Sequence, residues 1–386
     1  MTKLHTHFTI IMLLGLLSSL TPLATDMYLP SMLNISKDLN VGIEKVELTL
    51  SIFLIFYALG QLLGGIFSDK IGRRTPILIG LIGFSASSLV LFFANSIELL
   101  FIFRASQAFF GGIAAVNYAA IIRDLFHGKE AARVFSVVSS MTLLAPLLAP
   151  AIGAIVVSYF DWNYIFLLLC IYSCFIIILI FLKLPETGSK TNIKVLESYK
   201  MVFTHKKAIK YIFAVSFAFS GMFIFIGKSS FIYMDYFSVS VDKFPFLFGA
   251  NVLLMIIFTR INIFLVKKYP LEIILKRGLS LQMLSSFLLI FISFNPHIFN
   301  IPQVALVCVT MMLYVGSIGF VFGNAMSLAL EYFPKNSGVA TAVIGVTEFL
   351  IAGSIGFIAS YIHNGELTPI FILMSLTSIS AFLFVL

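Results

Sequence analysis

Among the ionisable residues in the long apolar runs of the 386-residue chain, five matter most for function: Asp26, Arg104, Lys228, Arg260 and Glu348. An ionised group in the hydrocarbon of a bilayer costs from about 2.5 to more than 10 kcal/mol. Each therefore needs a partner, a water path or a function. A carboxylate such as Asp26, in TPLATDMYLP, can take up and release protons during a cycle, or it can sit as a helix-end residue in outer water. Arg104 stays protonated. It can hold Asp26 ionised, hold a substrate anion, or bond backbone carbonyls between helices. Glu348, flanked by IGVT and FLIAG, has no helix end nearby; it is read as a proton-carrying group facing the bundle or as a protonated acid bonded to a neighbouring helix. Lys228 lies near one end of its run and either lines a cavity or snorkels. Arg260 is read as snorkelling to headgroups. Among the neutral groups, Gln61, Gln107 and Asn117 either line a pathway or tie helices together.

These residues need helices to hold them. Twelve apolar runs are found, at about 8–30, 46–67, 76–94, 97–119, 133–158, 163–183, 210–232, 245–266, 278–294, 302–328, 337–360 and 367–386. A crossing helix needs about 20 such residues. Barrel strands would be about 10 residues long and alternating. Of all residues 60% are hydrophobic and only 11% charged, against roughly 25% charged in a soluble domain. A soluble enzyme, a disordered chain, a disulfide scaffold and a nucleic-acid binder are excluded on that ground. The first run is longer than a signal-peptide core and carries Pro22 and Asp26, so it counts as a span. The expected fold is all-α and membrane-embedded. Residues 1–184 form one six-helix bundle, 185–209 a cytoplasmic linker and 210–386 a second bundle.

The net charge of +8 is distributed by side. Of the 25 Lys and Arg residues, 19 fall at the N-terminus and in loops that share one face, among them Lys3, Lys190, Lys194 and Lys335. Lys37, Lys45, Lys228 and Lys243 fall on the other face. Basic loops stay cytoplasmic, so both termini are expected inside. Cys170, Cys174 and Cys308 lie within apolar runs with no ligand cluster, so they are read as core residues and no metal is expected. The sequence contains neither HExxH nor GxSxG and no nucleotide-binding loop, and no enzyme is expected.

The second run ends in GGIFSDKIGRRTPIL. This resembles the loop signature of the major facilitator superfamily, with matches at Gly65, Asp69, Lys70, Gly72, Arg73 and Arg74 and with Phe67 in place of Leu. The fourth run, LFIFRASQAFFGGIAA, is similar to the family's R-x-x-q-G pattern at Arg104 and Gln107, with Ala108 for Gly. LLAPLLAPAIGAIV looks like the antiporter motif: Pro150 and Gly153 match, and Ala replaces Gly at Ala145, Ala149 and Ala154. TDMYLPSM, RDLF, APLLAP, the WNYIF–LPET frame and FGAN resemble the Bcr/CflA-type drug:proton antiporters along nearly the whole chain.

The resemblance implies two pseudo-symmetric bundles around a central cavity, working by alternating access in a bacterial inner membrane. It implies a proton-coupled antiporter exporting small lipophilic compounds, such as drugs. The partners are lipid, substrate and protons; the proton is the coupling ion, there is no other cofactor, and the unit is a monomer. Asp26 and Arg104 carry the coupling, and Gly65, Asp69, Gly72, Arg73 and Arg74 a cytoplasmic gate. Two alternatives share the fold: an exporter of a specific metabolite or siderophore, and a proton symporter importing a small solute. Ser18 stands where some relatives have a second acid, and Glu348 where most have an uncharged residue.

Overall fold

The computed structural model describes residues 2–187, 195–296, 301–334 and 337–386. Among the described residues every regular element is helical. Twelve apolar helices correspond to the twelve runs: α1 (Phe8–Asp38), α2 (Ile43–Ile71), α3 (Arg74–Phe92), α4 (Ile97–Leu125), α5 (Gly128–Tyr159), α6 (Tyr164–Lys183), α7 (Lys206–Tyr236), α8 (Phe244–Leu265), α9 (Leu271–Phe294), α10 (Gln303–Leu330), α11 (Ser337–Tyr361) and the shorter α12 (Leu367–Leu383). In lipid the backbone must satisfy its own polar groups. Long runs of Leu, Ile, Phe and Val therefore become helices despite the β-branched residues they contain. Within the expected linker a further helix, Val195–Thr204, precedes α7. Lys190, Lys194 and Lys335, part of the expected orientation signal, lie outside the described residues, as does the side chain of Lys3.

The chain divides into two compact units. One comprises Met1–Val41 and Ile52–Val195, the other Gly42–Ser51 and Leu196–Leu386. The start of α2 thus packs with the second unit while the rest of that helix packs with the first, a division that the expected boundaries do not contain. Inside the first unit α3 packs on α4 and α6, and α1 on α5 and α6; inside the second, α9 packs on α10 and α12, and α7 on α11 and α12. The pairings are the same six helices apart, which is an internal repeat.

Small residues set the closest approaches. A Cβ on Gly60 of α2 would come 2.0 Å from the Phe109 carbonyl oxygen of α4, and one on Gly112 would come 2.3 Å from that of Tyr57. In the second unit a Cβ on Gly319 of α10 would lie 2.7 Å from the Met255 carbonyl oxygen of α8. Both α4 and α10 are interrupted, at Val116–Asn117 and at Ser317 respectively. The regular helix of α1 ends at Asp26, followed by a short 3-10 turn over Leu29–Ser31. The backbone therefore turns just beyond the first buried acid.

Candidate functional site

Arg104 on α4 is the centre of the first unit, with no exposed surface. Its Nη1 donates to the Ala24 carbonyl at 3.0 Å and to Gln107 Oε1 at 2.8 Å. Gln107 Nε2 in turn donates to Ser88 Oγ of α3 at 2.8 Å. The guanidinium carbon lies 4.4 Å from the ring centre of Phe53, 4.8 Å from that of Tyr28 and 5.9 Å from that of Phe166. A planar, weakly hydrated cation suits such an aromatic cage better than an ammonium would. Four helices, α1, α2, α4 and α6, therefore contribute to one buried charge.

Asp26 is also buried, at 3% exposure. Its partner is the neighbouring Thr25, whose hydroxyl donates to Oδ1 at 2.8 Å. The expected direct pairing of Asp26 with Arg104 is not what the structure shows. Arg104 holds α1 by the carbonyl of Ala24, two residues earlier, and the two charges form no ion pair. Arg104 nonetheless reaches the turn of α1 that carries Asp26. The helix turns Asp26 toward Thr25 and leaves a backbone oxygen for the arginine.

The motif residues of α5 bear on the same place. Ala149, Pro150 and Gly153 are buried. A Cβ on Gly153 would fall 2.0 Å from the Met27 carbonyl oxygen and 3.0 Å from Pro30 Cγ. Gly153 is therefore the residue that lets α5 lie against the turn following Asp26. Gly153→Ala is expected to force that turn away, lowering stability by about 1–3 kcal/mol through overpacking. The thermal unfolding midpoint in detergent measures this; an unchanged midpoint would mean that α1 does not depend on the glycine.

The polar neutral residues separate into two kinds. Gln61 is half-buried and shares a hydrogen bond with Tyr57, which also bonds Thr21 of α1. Asn117 donates to the Ile113 carbonyl at 2.8 Å and so caps the interruption in its own helix. That bond stays within α4 and ties it to no other helix.

The residues of the loop after α2 form a second cluster. Gly72 has φ +97°, a left-handed conformation that suits glycine. Arg73 donates to Asp69 Oδ1 at 2.7 Å, to Ser68 Oγ at 2.9 Å and to Asp124 Oδ2 of α4 at 3.1 Å. Burial opposes its charge, but the bonds to Asp69 and Asp124 outweigh this and hold the guanidinium above its ordinary value. Glu186 accepts from the backbone N–H of Arg73 at 2.5 Å and of Arg74 at 3.3 Å, capping the start of α3. Arg74 donates to the Phe181 carbonyl of α6 at 2.6 Å. Gly64, the neighbour of the motif's Gly65, makes the close helix approach: a Cβ there would lie 2.6 Å from Ile113 Cα. Asp124 and Glu186 were not singled out from the sequence, although RDLF and LPET contain them. Both stand at span ends, where charge is ordinary.

In the second unit Glu348 of α11 is 5% exposed, and its Oε1 has no hydrogen-bond partner. The hydroxyl of Thr347 beside it is directed to the Val343 carbonyl of its own helix. Arg260 is exposed, as snorkelling requires. Lys228 does not snorkel. It is buried, with Nζ 2.5 Å from Glu47 Oε2. Nothing in its own stretch of sequence marks Glu47, which lies two residues into the run beginning at about 46, where an interfacial charge is ordinary. The signal available was Lys228 itself, one end-turn deep on the same expected face.

The family model of the Major Facilitator Superfamily matches residues 14–357. The chain belongs to that superfamily. A bicyclomycin resistance protein homolog of Haemophilus influenzae is 33% identical over 385 residues, covering 97% of this chain and 94% of that protein. The multidrug resistance protein MdtL of Shewanella oneidensis is 26% identical over 336 residues, with 85% and 82% covered. The xylose transporter XylE of E. coli has a TM-score of 0.74 at 15% identity, with 98% and 96% covered, a likeness of fold. This major facilitator chain is thus a multi-pass membrane transporter and not an enzyme. It works in a lipid bilayer on a small-molecule substrate.

Proposed function

We propose that this transporter is a proton-coupled antiporter that exports small lipophilic compounds, drugs among them, from the cytoplasm across a bacterial inner membrane. It works as a monomer with both termini inside, with the proton as its coupling ion and no other cofactor. The observation that carries this reading is an acid buried at the point where α1 turns, unpaired with the arginine that clamps the same helix two residues earlier. An acid so placed can change protonation without breaking the aromatic cage around Arg104. The turn over Leu29–Ser31 follows the acid directly, and α5 lies against that turn through Gly153. The names of the bicyclomycin and multidrug resistance relatives support the substrate class.

In the proposed cycle Asp26 takes a proton from the outer side and releases it to the cytoplasm as compound binds. Arg73, Asp69 and Asp124 hold the cytoplasmic ends of α2 and α4 together when that side is closed. Glu348, buried without a cation, is placed to meet a cationic compound or to hold a second proton. Moving one elementary charge through 100 mV is worth about 2.3 kcal/mol. One proton exchanged for one monovalent cation therefore gains nothing from voltage, whereas a neutral compound gains that amount. The test is proton release from purified protein in weak buffer as a panel of lipophilic cations and neutral drugs is added. Release with several compounds is expected. No release with any of them at any pH between about 6 and 8 would remove antiport.

A further inference from the structure

The start of α2 is held inside the second unit by a charge cluster that the proposed cycle does not use. Glu47 and Lys228 are each 2% exposed and pair at 2.5 Å. The other carboxylate oxygen of Glu47, Oε1, has no partner. His363, in the connection between α11 and α12, places Nδ1 3.4 Å from Lys228 Nζ, and its ring packs edge-on against Phe231 at 4.4 Å. Glu44 on α2 and Asp235 at the end of α7 are the other charges acting on this group. Close to it α7 and α11 lie against the first turns of α2. A Cβ on Gly227 of α7 would lie 3.4 Å from Leu50 Cδ2, and one on Gly356 of α11 would lie 2.6 Å from Ser51 Oγ. Glu47 and Asp69 are 22 residues apart on α2, or about 33 Å at 1.5 Å per residue. The cluster is therefore at the opposite end of α2 from the Asp69–Arg73 network.

We infer that Glu47, Lys228 and His363 form a proton-sensitive latch that fastens the start of α2 to α7 and α11, and that its parting is the step that opens the outer end. The inference rests on the alternating-access reading above. Its parts have distinct tasks. The Glu47–Lys228 pair supplies the closure, because removing either partner leaves the other charged and buried. Gly356 lets α11 come close to the Ser51 side chain of α2. His363 supplies the sensitivity. As a neutral ring it can accept from the Lys228 ammonium; as a cation it is repelled by it.

Burial and the Lys228 charge hold the His363 imidazole below its ordinary value, with Glu44 and Asp235 partly opposing. The sign follows. A parted latch returns His363 toward its ordinary value of about 6.5 and so binds a proton more tightly than a closed one. Above that value His363 is neutral in both states and the latch is unaffected. As the outer pH falls through it, proton uptake favours parting. The acid side of the membrane would thereby open its own gate, and coupling protons would find the outer end accessible where they are most abundant.

The test needs no substrate. Leu50→Cys, with alanine at the three native cysteines, places a thiol at a position 2% exposed beside Gly227. Whole cells carrying the full chain are labelled from outside with a membrane-impermeant maleimide, normalised to the unfolded protein at each pH. Labelling is expected to rise several-fold between about pH 7.5 and pH 5.5, as the parted form takes up a proton on His363 that the closed form resists. Adding His363→Gln should flatten that dependence. Adding Glu47→Gln should make labelling fast at every pH, and the exchange Glu47→Lys with Lys228→Glu should make it slow again, which separates pairing from misfolding. Labelling without pH dependence in the parent, or equally slow labelling with Glu47→Gln, overturns the latch. The outcomes also separate the two readings. Responsive labelling without drug-stimulated proton release keeps the latch and removes antiport; proton release with unresponsive labelling does the reverse.

Discussion

Asp26→Asn is expected to bring compound-stimulated proton release, and the drug resistance of cells expressing the protein, down to background while leaving the fold intact. The reason is local. Thr25 donates its hydroxyl to Asp26 Oδ1 at 2.8 Å, and an asparagine carbonyl in the same rotamer accepts that bond equally well. The substitution removes a buried ionisable group with no cation beside it, so it removes a desolvation cost and no ion pair. The unfolding midpoint should stay within about 2 °C of the parent or rise. Compound binding, read as quenching of a fluorescent substrate, should persist, because the aromatic cage and the α1–α5 contact are unchanged. What disappears is the ability to carry one proton, and with it the roughly 2.3 kcal/mol per 100 mV which that charge contributes for a neutral compound. Asp26→Glu keeps the proton but adds a methylene beside the turn that Gly153 already crowds. It should release protons while losing about 1–3 kcal/mol of stability. If the asparagine protein still releases protons on compound addition, Glu348 becomes the leading carrier and Asp26 a structural acid.

The contrast between Asp26 and Glu47 shows what one-dimensional reading can find. Asp26, Arg104 and Glu348 are evident in the sequence because a charge deep in an apolar run has no ordinary explanation. The twelve helices are evident for the same reason, since an apolar run of bilayer length has almost no other fate. Glu47, Asp124 and Glu186 sit at span ends, where charge is expected, so nothing in their spacing marks them. Their importance comes from what stands opposite in space, Lys228 for the first and Arg73 for the others. The same limit explains Arg104. Depth along α1 and α4 places it level with Asp26, but depth cannot say that the guanidinium turns to the Ala24 carbonyl and to three rings. It also explains α2, whose hydrophobic period is continuous although its first turns and its remainder pack in different units. Periodicity tells which residues seek burial and leaves open which neighbour buries them.

Arg104 also provides the largest expected effect on stability. Arg104→Ala should prevent the protein from accumulating, and Arg104→Lys should fold with a midpoint clearly below that of Asp26→Asn. Removing the side chain leaves the Ala24 carbonyl and Gln107 Oε1 without their donor, at about 1–3 kcal/mol for each buried group. It also empties the space between Phe53, Tyr28 and Phe166. Lysine keeps the charge but not the plane. A compact, strongly hydrated ammonium cannot lie flat between two rings, and it has no water there to replace its lost hydration. The buried cation–π contacts are worth about 2 kcal/mol or more when desolvated, and lysine would retain only part of that. The protein carries its own reporter, because Trp162 is the single tryptophan and packs edge-on to Phe166 at 6.1 Å. Loosening of the cage should reach the indole through that ring, so Trp162 emission in Arg104→Lys should shift to the red before global unfolding. A lysine protein with the parent's midpoint, emission and transport would show that only the charge of Arg104 matters. The converse result, a protein that still binds compound but unfolds early, would place the arginine's main task in holding α1, α2, α4 and α6 around Asp26.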